Sequence, residues 1–387
     1  MNSLFPITEY WSWGTFLLYV TVSLIVCKFC QMGAIWGTES IYSQNYKRGA
    51  SANSRDYYFL AFITLVLLGT LRTAEVGSDT YVYIGYFDNI SVFRFDIAHL
   101  FSFNQMEPGF QLYLRLIHSI SSSHTFLFFV NSILVAYAYI KYIRTFFDEN
   151  SDYTFLQIFI FYYVSNMSGM RAALATVFLL LSYIQLAEKK TIKSILLTIL
   201  ACSFHYTMIY NFYIIILTVI FKSEKLRRKK WLWIIAIIAT IGLAKSSTYV
   251  LRGLFAGTKY SYYTDRLEDQ SLLGSLFFVL FGALALSCYR VFLDNENYSE
   301  KFRNIYLVSL GFLVTYPVIF VIGAYRIPNY YILPRLTVWD EIKKYYQNRI
   351  RNKQIYKIVI QCIVILYLLF RFTRTSVDGG FAYHWIF

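Results

Sequence analysis

The chain has 387 residues, 57% of them hydrophobic and only 15% charged, and carries a net charge of +14. A soluble domain would carry about a quarter charged residues, so a water-soluble globular fold is excluded. The short alternating segments of a membrane β-barrel are absent as well. The basic residues sit in short connections between apolar stretches, which argues against nucleic acid as a partner.

Apolar stretches of about 15 to 20 residues recur along the chain, the length needed to cross a hydrocarbon core as helices. In chain order the candidate spans are Trp11–Phe29, Tyr57–Leu71, Thr125–Ile140, Thr154–Asn166, Arg171–Ala187, Lys193–Phe204, Tyr206–Phe221, Trp231–Ala244, Ser271–Phe292, Ile305–Ile322, Arg326–Val338 and Lys357–Phe372. The pattern predicts an all-α integral membrane protein of about twelve helices in a single domain, 1–387. A partly helical external segment, about 72–124, separates the second and third spans. Pro328 and Pro334 each remove a backbone donor and make the eleventh span the weakest expectation.

Taken alternately, one set of connections is strongly basic. It holds Lys47, Arg48 and Arg55, then Lys141 and Arg144, Lys189 to Lys193, Lys222 to Lys230, Lys301 and Arg303, and Lys343 to Lys353. That set is expected to be cytoplasmic, which puts both termini outside and requires an even number of crossings. No positively charged leader precedes the first apolar run, so that run is expected to be a retained helix. Five scattered cysteines, Cys27, Cys30, Cys202, Cys288 and Cys362, read as packing residues rather than a disulfide framework.

The unusual polar residues fall at the ends of spans, on the face away from the basic connections. Arg72 follows the second span and opens the stretch Arg72-Thr-Ala-Glu75-Val-Gly77-Ser-Asp79-Thr-Tyr81-Val-Tyr83. The external segment reaches Glu107-Pro108-Gly109-Phe110 and then an amphipathic run. Arg171 opens the fifth span, His205 lies between the sixth and seventh, and Tyr325-Arg326 follows the tenth. Singly, an arginine at a helix end snorkels to the headgroups, and a histidine can be a packed core residue. Together, three arginines and a histidine at one level suggest function, because ionisable groups in membrane segments are costly. Arginines suit phosphate, which the planar guanidinium grips with two parallel hydrogen bonds. Nucleotide loops, zinc-binding arrays and a nucleophile elbow are all missing, so no cofactor and no metal is expected.

The ordered set Arg72…Gly77-x-Asp79…Tyr83, Glu107-Pro-Gly-Phe110, Arg171-Ala-Ala-Leu-Ala, Phe204-His205 and Tyr325-Arg326 resembles the EpsG-type polysaccharide polymerases, related to the Wzy O-antigen polymerases. The resemblance implies a glycosyltransferase in the bacterial cytoplasmic (inner) membrane. It would join undecaprenyl-diphosphate-linked repeat units of O-antigen, capsule or exopolysaccharide on the non-cytoplasmic face. The bilayer and the lipid-linked glycans are the implied partners, with room for a chain-length regulator protein. On that reading Arg72, Arg171 and Arg326 stabilise the diphosphate leaving group. The acceptor's proton goes to His205, Asp79 or Glu107, with His205 slightly ahead because a neutral imidazole tolerates an apolar site. Tyr83 and Tyr325 position sugar. The competing readings are a flippase or transporter for lipid-linked oligosaccharides, another polyprenyl-linked-sugar glycosyltransferase or acyltransferase, and a scaffold. A transporter would need polar residues at several depths, whereas the inner halves of the spans read as nearly bare of charge.

Overall fold

The computed structural model describes residues 12–36, 52–77, 79–90, 106–147, 151, 160, 162, 163, 167–227, 229, 231–236, 238, 239, 242, 282–315, 332–350 and 352–376. Among these, 84% are helical and no strand occurs. The helices used below are α1 (Trp13–Trp36), α2 (Ala52–Thr70), α3 (Thr80–Asp88), α4 (Pro108–Ile120), α5 (His124–Phe146), α6 (Met170–Ala187), α7 (Thr191–Phe204), α8 (Tyr210–Phe221), α9 (Glu300–Thr315), α10 (Ile332–Gln347) and α11 (Lys353–Ser376). A 3-10 turn, Tyr206–Ile209, joins α7 to α8.

Three segments of the described chain are long and apolar enough to cross a bilayer: Trp13–Ile35, His124–Phe146 and Met170–Ala187. Thr191–Phe204 and Tyr206–Phe221 are shorter apolar helices. Helices stand where the first, second, third, fifth, sixth, seventh, tenth and twelfth expected spans lie. Most of Thr154–Asn166, and large parts of Trp231–Ala244 and Ser271–Phe292, lie outside the described residues, as do Pro328, Tyr325 and Arg326. The eleventh expected span, Arg326–Val338, corresponds to α10, which runs on to Gln347. Pro334 is its third residue, where a backbone N–H has no partner inside the helix in any case, so the proline begins the helix instead of breaking it.

Small residues set the helix spacing. A Cβ on Gly33 would come within 2.9 Å of the Tyr58 ring, and Ser54 Oγ donates to the Gly33 carbonyl at 2.8 Å, so α1 and α2 touch backbone to side chain. Tyr163 donates to the Leu65 carbonyl at 2.7 Å, and Gly69 leaves room for Ser132 of α5. Without a hydrophobic drive between helices in lipid, such close approaches and interhelical hydrogen bonds hold a bundle together. A buried hydroxyl and amide network repeats the theme. Ser182 of α6 meets Ser194 Oγ at 2.7 Å and Thr198 Oγ1 at 3.1 Å on α7, and Asn211 of α8 donates to Thr198 at 2.8 Å. The α6–α7 hairpin turns through Lys189, whose positive φ of 66° completes a Schellman cap in which Lys190 N–H donates to the Gln185 carbonyl at 2.8 Å.

The end of the bundle where α2 finishes and α6 begins carries its own apolar cluster. Tyr83 and Phe87 of α3, Phe110, Leu114 and Ile117 of α4, Leu127 and Phe128 of α5, and Met170 and Leu174 of α6 pack together. The three-residue link Ser121–Ser123 folds α4 back onto α5, with Ser123 Oγ accepting from Phe126 N–H at 3.4 Å. Beyond it, His124 Nε2 lies 2.7 Å from Asp88, so α3, α4 and α5 meet at the rim. Cys27 and Cys30 of α1 and Cys288 are buried, in line with a packing role, whereas Cys202 is half-buried and Cys362 exposed; all five are free thiols.

Charge also enters the interior at the far end. Asp340, Glu341 and Lys343 of α10 are buried, and Lys344 Nζ lies 3.0 Å from Asp340 and 2.7 Å from Glu341. Thr337, one turn earlier, meets Tyr142 at 3.0 Å. Tyr142 is eighteen residues down α5 from His124, about 27 Å along the axis at 1.5 Å per residue. These charges lie beyond the eleventh expected span, in the stretch read as a basic connection, which is helical here and packs against α9.

Candidate functional site

Arg171 is the second residue of α6, just after the turn Ser168-Gly169. A cation at a helix N-terminus opposes the macrodipole, and Glu107 compensates it. The carboxylate Oε2 accepts from Arg171 Nη1 at 2.5 Å. Glu107 reaches this place because it caps α4: Pro108 follows at the first helical position, and the Gln111 side chain turns back to donate to the Met106 carbonyl. Its own carboxylate makes no cap bond and points to Arg171 instead.

Glu107 is 1% exposed, whereas the Arg171 side chain keeps 18% of its surface. Burial alone would push the Glu107 carboxyl up. Arg171 first, and His205 second, outweigh that and hold it below its ordinary value of 4.5. The Arg171 guanidinium also lies over the Tyr83 ring, 5.7 Å from its centroid. Tyr83 itself is buried, edge-on to Phe110 at 5.5 Å. It backs the arginine, and in this arrangement it offers no open face to a sugar.

His205 ends α7 and starts the 3-10 turn, in an extended conformation that reverses the chain. It is buried, and its Nδ1 lies 2.8 Å from Thr207 Oγ1 and 3.4 Å from Thr207 N–H. Nδ1 accepts from the Thr207 N–H and is within reach of the Thr207 hydroxyl, so the neutral ring carries its proton on Nε2. Gly109 brings α4 to this corner, since a Cβ there would stand 2.3 Å from Ser203 Oγ and 2.8 Å from the Ser203 carbonyl.

Arg72 sits differently from Arg171. It is buried, its Nη1 donates to the Val76 carbonyl at 2.7 Å, and its guanidinium lies over Phe128 of α5 at 4.5 Å. Thr80 Oγ1 donates to the same carbonyl at 2.7 Å. Arg72 thus braces the loop that carries Asp79. Gly77 takes φ of 101° in that loop, and a Cβ on it would lie 2.5 Å from Ser168 Cα. Asp79, half-buried at the start of α3, donates its backbone N–H to Ser168 Oγ at 3.4 Å. The loop is consequently seated on the turn that launches Arg171.

Six of the expected site residues, Arg72, Asp79, Tyr83, Glu107, Arg171 and His205, therefore belong to one end of the bundle. Arg326 and Tyr325 lie outside the described residues. Four further residues, Thr80, Phe128, Ser168 and Thr207, escape sequence reasoning because each is an ordinary residue acting by position. The glycines Gly77 and Gly109 were the available signal, marking two places where backbones meet.

Chemically, the corner couples a cation at a helix N-terminus to a buried carboxylate and an imidazole. Such a set can bind an anionic group and accept a proton close by. No curated protein and no solved structure matches the chain. The sequence model of the EpsG family matches residues 56–385, most of its length. The chain therefore belongs to the EpsG family, that of Wzy-type polysaccharide polymerase-like proteins, and with it to the membrane proteins of polysaccharide biosynthesis.

Proposed function

We propose that the protein is a polysaccharide polymerase. It transfers a growing glycan from one undecaprenyl diphosphate to the sugar of another lipid-linked repeat unit, on the non-cytoplasmic face and without a metal. The observation that carries this reading is the buried Glu107–Arg171 pair beside His205, at the N-terminus of α6.

In the reaction an acceptor hydroxyl attacks the anomeric carbon, the bond to the diphosphate breaks, and the hydroxyl proton leaves to a base. Arg171 meets the charge that builds on the diphosphate, helped by the free N–H groups at the start of α6. A guanidinium drawn to phosphate loosens its hold on Glu107. The buried carboxylate, deprived of its partner, then becomes more basic. Arrival of the leaving group at Arg171 thereby readies Glu107, with His205 beside it, to take the proton. Asp79 binds sugar hydroxyls from the neighbouring loop, Arg72 keeps that loop in shape, and Arg326 is the further diphosphate ligand.

The test is purified protein in nanodiscs with a lipid-linked oligosaccharide, resolved as a product ladder on a gel. The wild type should yield a ladder and Arg171→Ala a single repeat. A full ladder from Arg171→Ala would overturn the assignment. Transport of the lipid-linked oligosaccharide is the second reading, favoured by the buried charges of α10 at the opposite end. A wild type that moves the labelled lipid between leaflets but makes no ladder would establish that reading instead.

A further inference from the structure

We propose that the face of α4 bearing Leu112, Leu116 and Ile120 docks against the acyl chains of the bilayer. The helix that presents Glu107 would then lie within the leaflet at this end of the bundle, not in the water above it. The inference concerns where α4 lies and holds whether or not the protein is a polymerase.

The apolar side of α4 is wider than the part of it that is buried. Phe110, Leu114 and Ile117 pack inward, while Leu112, Leu116 and Ile120, spaced four residues apart, are 47%, 62% and 65% exposed. A helix lying on a water-facing surface would present polar or charged side chains there. The other exposed side chain of α4 is Ser119, and its hydroxyl folds back to donate to the Leu116 carbonyl at 2.8 Å. Arg115 and His118, both half-buried, share the edge of the helix that carries Ser119, so α4 borders its exposed apolar row with a polar one, as a helix at a membrane interface does.

Continuity with α7 identifies the occupant. The exposed row Ile192, Leu196 and Leu200 runs along α7, an apolar helix of the bundle, and the same row reaches Ser203. There Gly109 is pressed onto Ser203 with no room for a Cβ, and the apolar row resumes on α4 at Leu112. The two helices present a single apolar strip, whose lower part has the bilayer as its natural solvent. Contiguous exposed patches of this kind mark contact with a membrane or a partner, and the unbroken run from α7 favours the membrane.

The experiment uses the full chain in phospholipid nanodiscs, with Cys202→Ala and Cys362→Ser to silence the accessible thiols. Spin labels are placed singly at Leu112→Cys, Leu116→Cys and Ile120→Cys, with Leu196→Cys as the α7 reference and the exposed Glu224→Cys as the aqueous one. The expected result is collision with dissolved oxygen exceeding collision with a nickel chelate at all three positions, with a ratio near that of Leu196 and roughly tenfold above that of Glu224, as burial at the acyl boundary requires. Nickel accessibility equal to that of Glu224 would overturn the proposal by placing the face in water. Exclusion of both reagents would overturn it by revealing a second copy or another protein over the strip. A label-free check is Leu116→Trp in vesicles of brominated phosphatidylcholine. Quenching beyond that of the wild type supports the proposal, and unchanged emission rejects it.

Discussion

Removing Arg171 and removing Glu107 should have very unequal consequences, although the two form one ion pair. In Arg171→Met a carboxylate that is 1% exposed loses its cation. Breaking a buried pair this way costs about 3–5 kcal/mol, because the remaining charge is shut off from water and has lost its strongest partner. In Glu107→Gln the amide keeps one hydrogen bond to a guanidinium that is still 18% exposed and rests on Tyr83, a loss of about 1 kcal/mol. The double variant should lie well below the sum of the two, with a coupling of about 0.5–3 kcal/mol. Unfolding in mixed micelles at neutral pH, followed by tryptophan fluorescence, gives all four corners of the cycle. Equal single losses, the reverse order, or simple additivity would refute the buried-pair argument.

Acidification separates the same variants. The Glu107 carboxyl is held below 4.5 in the folded protein, so its stabilising contribution is present above that pH and is lost as pH falls through the depressed value. In Arg171→Met burial raises the carboxyl instead, so moderate acid should relieve that variant while the wild type weakens; parallel pH curves would contradict this. Gly77→Ala places a Cβ 2.5 Å from Ser168 Cα in a left-handed turn, and should destabilise by at least about 1 kcal/mol with the 72–80 loop displaced; hydrogen exchange of that loop is the check. Gly109→Ala forces α4 away from Ser203, and a shift of about 1 Å at Glu107 should reduce polymer formation about 100-fold with the protein still folded. Arg72→Lys should not restore what Arg72→Ala loses, since an ammonium cannot lie flat on Phe128 while holding the Val76 carbonyl, and proteolysis of the loop would report the failure.

Much of this corner is legible in the sequence because ionisable residues stand out against apolar surroundings. Arg171, Glu107 and His205 attract notice for that reason, and the fold brings them together. Arg72 looks the same by that criterion, yet its guanidinium braces its own loop, because its partners are a backbone carbonyl and a ring 56 positions along the chain. Tyr83 reads as a ring available to sugar, and burial beneath α4 is what turns it into a support for Arg171. Periodicity locates most helices, and α10 reaches further along the chain than it suggests for a local reason. A proline counts against a helix only past its first turn, and four adjacent charges resemble a connection until α9 is seen packed beside them.

The charged stripe of α10 has a consequence for how the protein is made. Each of Arg335, Asp340, Glu341, Lys343 and Lys344 would cost about 2.5–3.5 kcal/mol at the centre of a bilayer when presented on a lone helix. Such a segment has no reason to leave the insertion machinery unaccompanied. It becomes tolerable once Lys344 has found its two carboxylates and α9 packs beside it. The place of α10 is therefore set by its charged partners and by α9, formed earlier in the chain, and not by an affinity of its own for lipid.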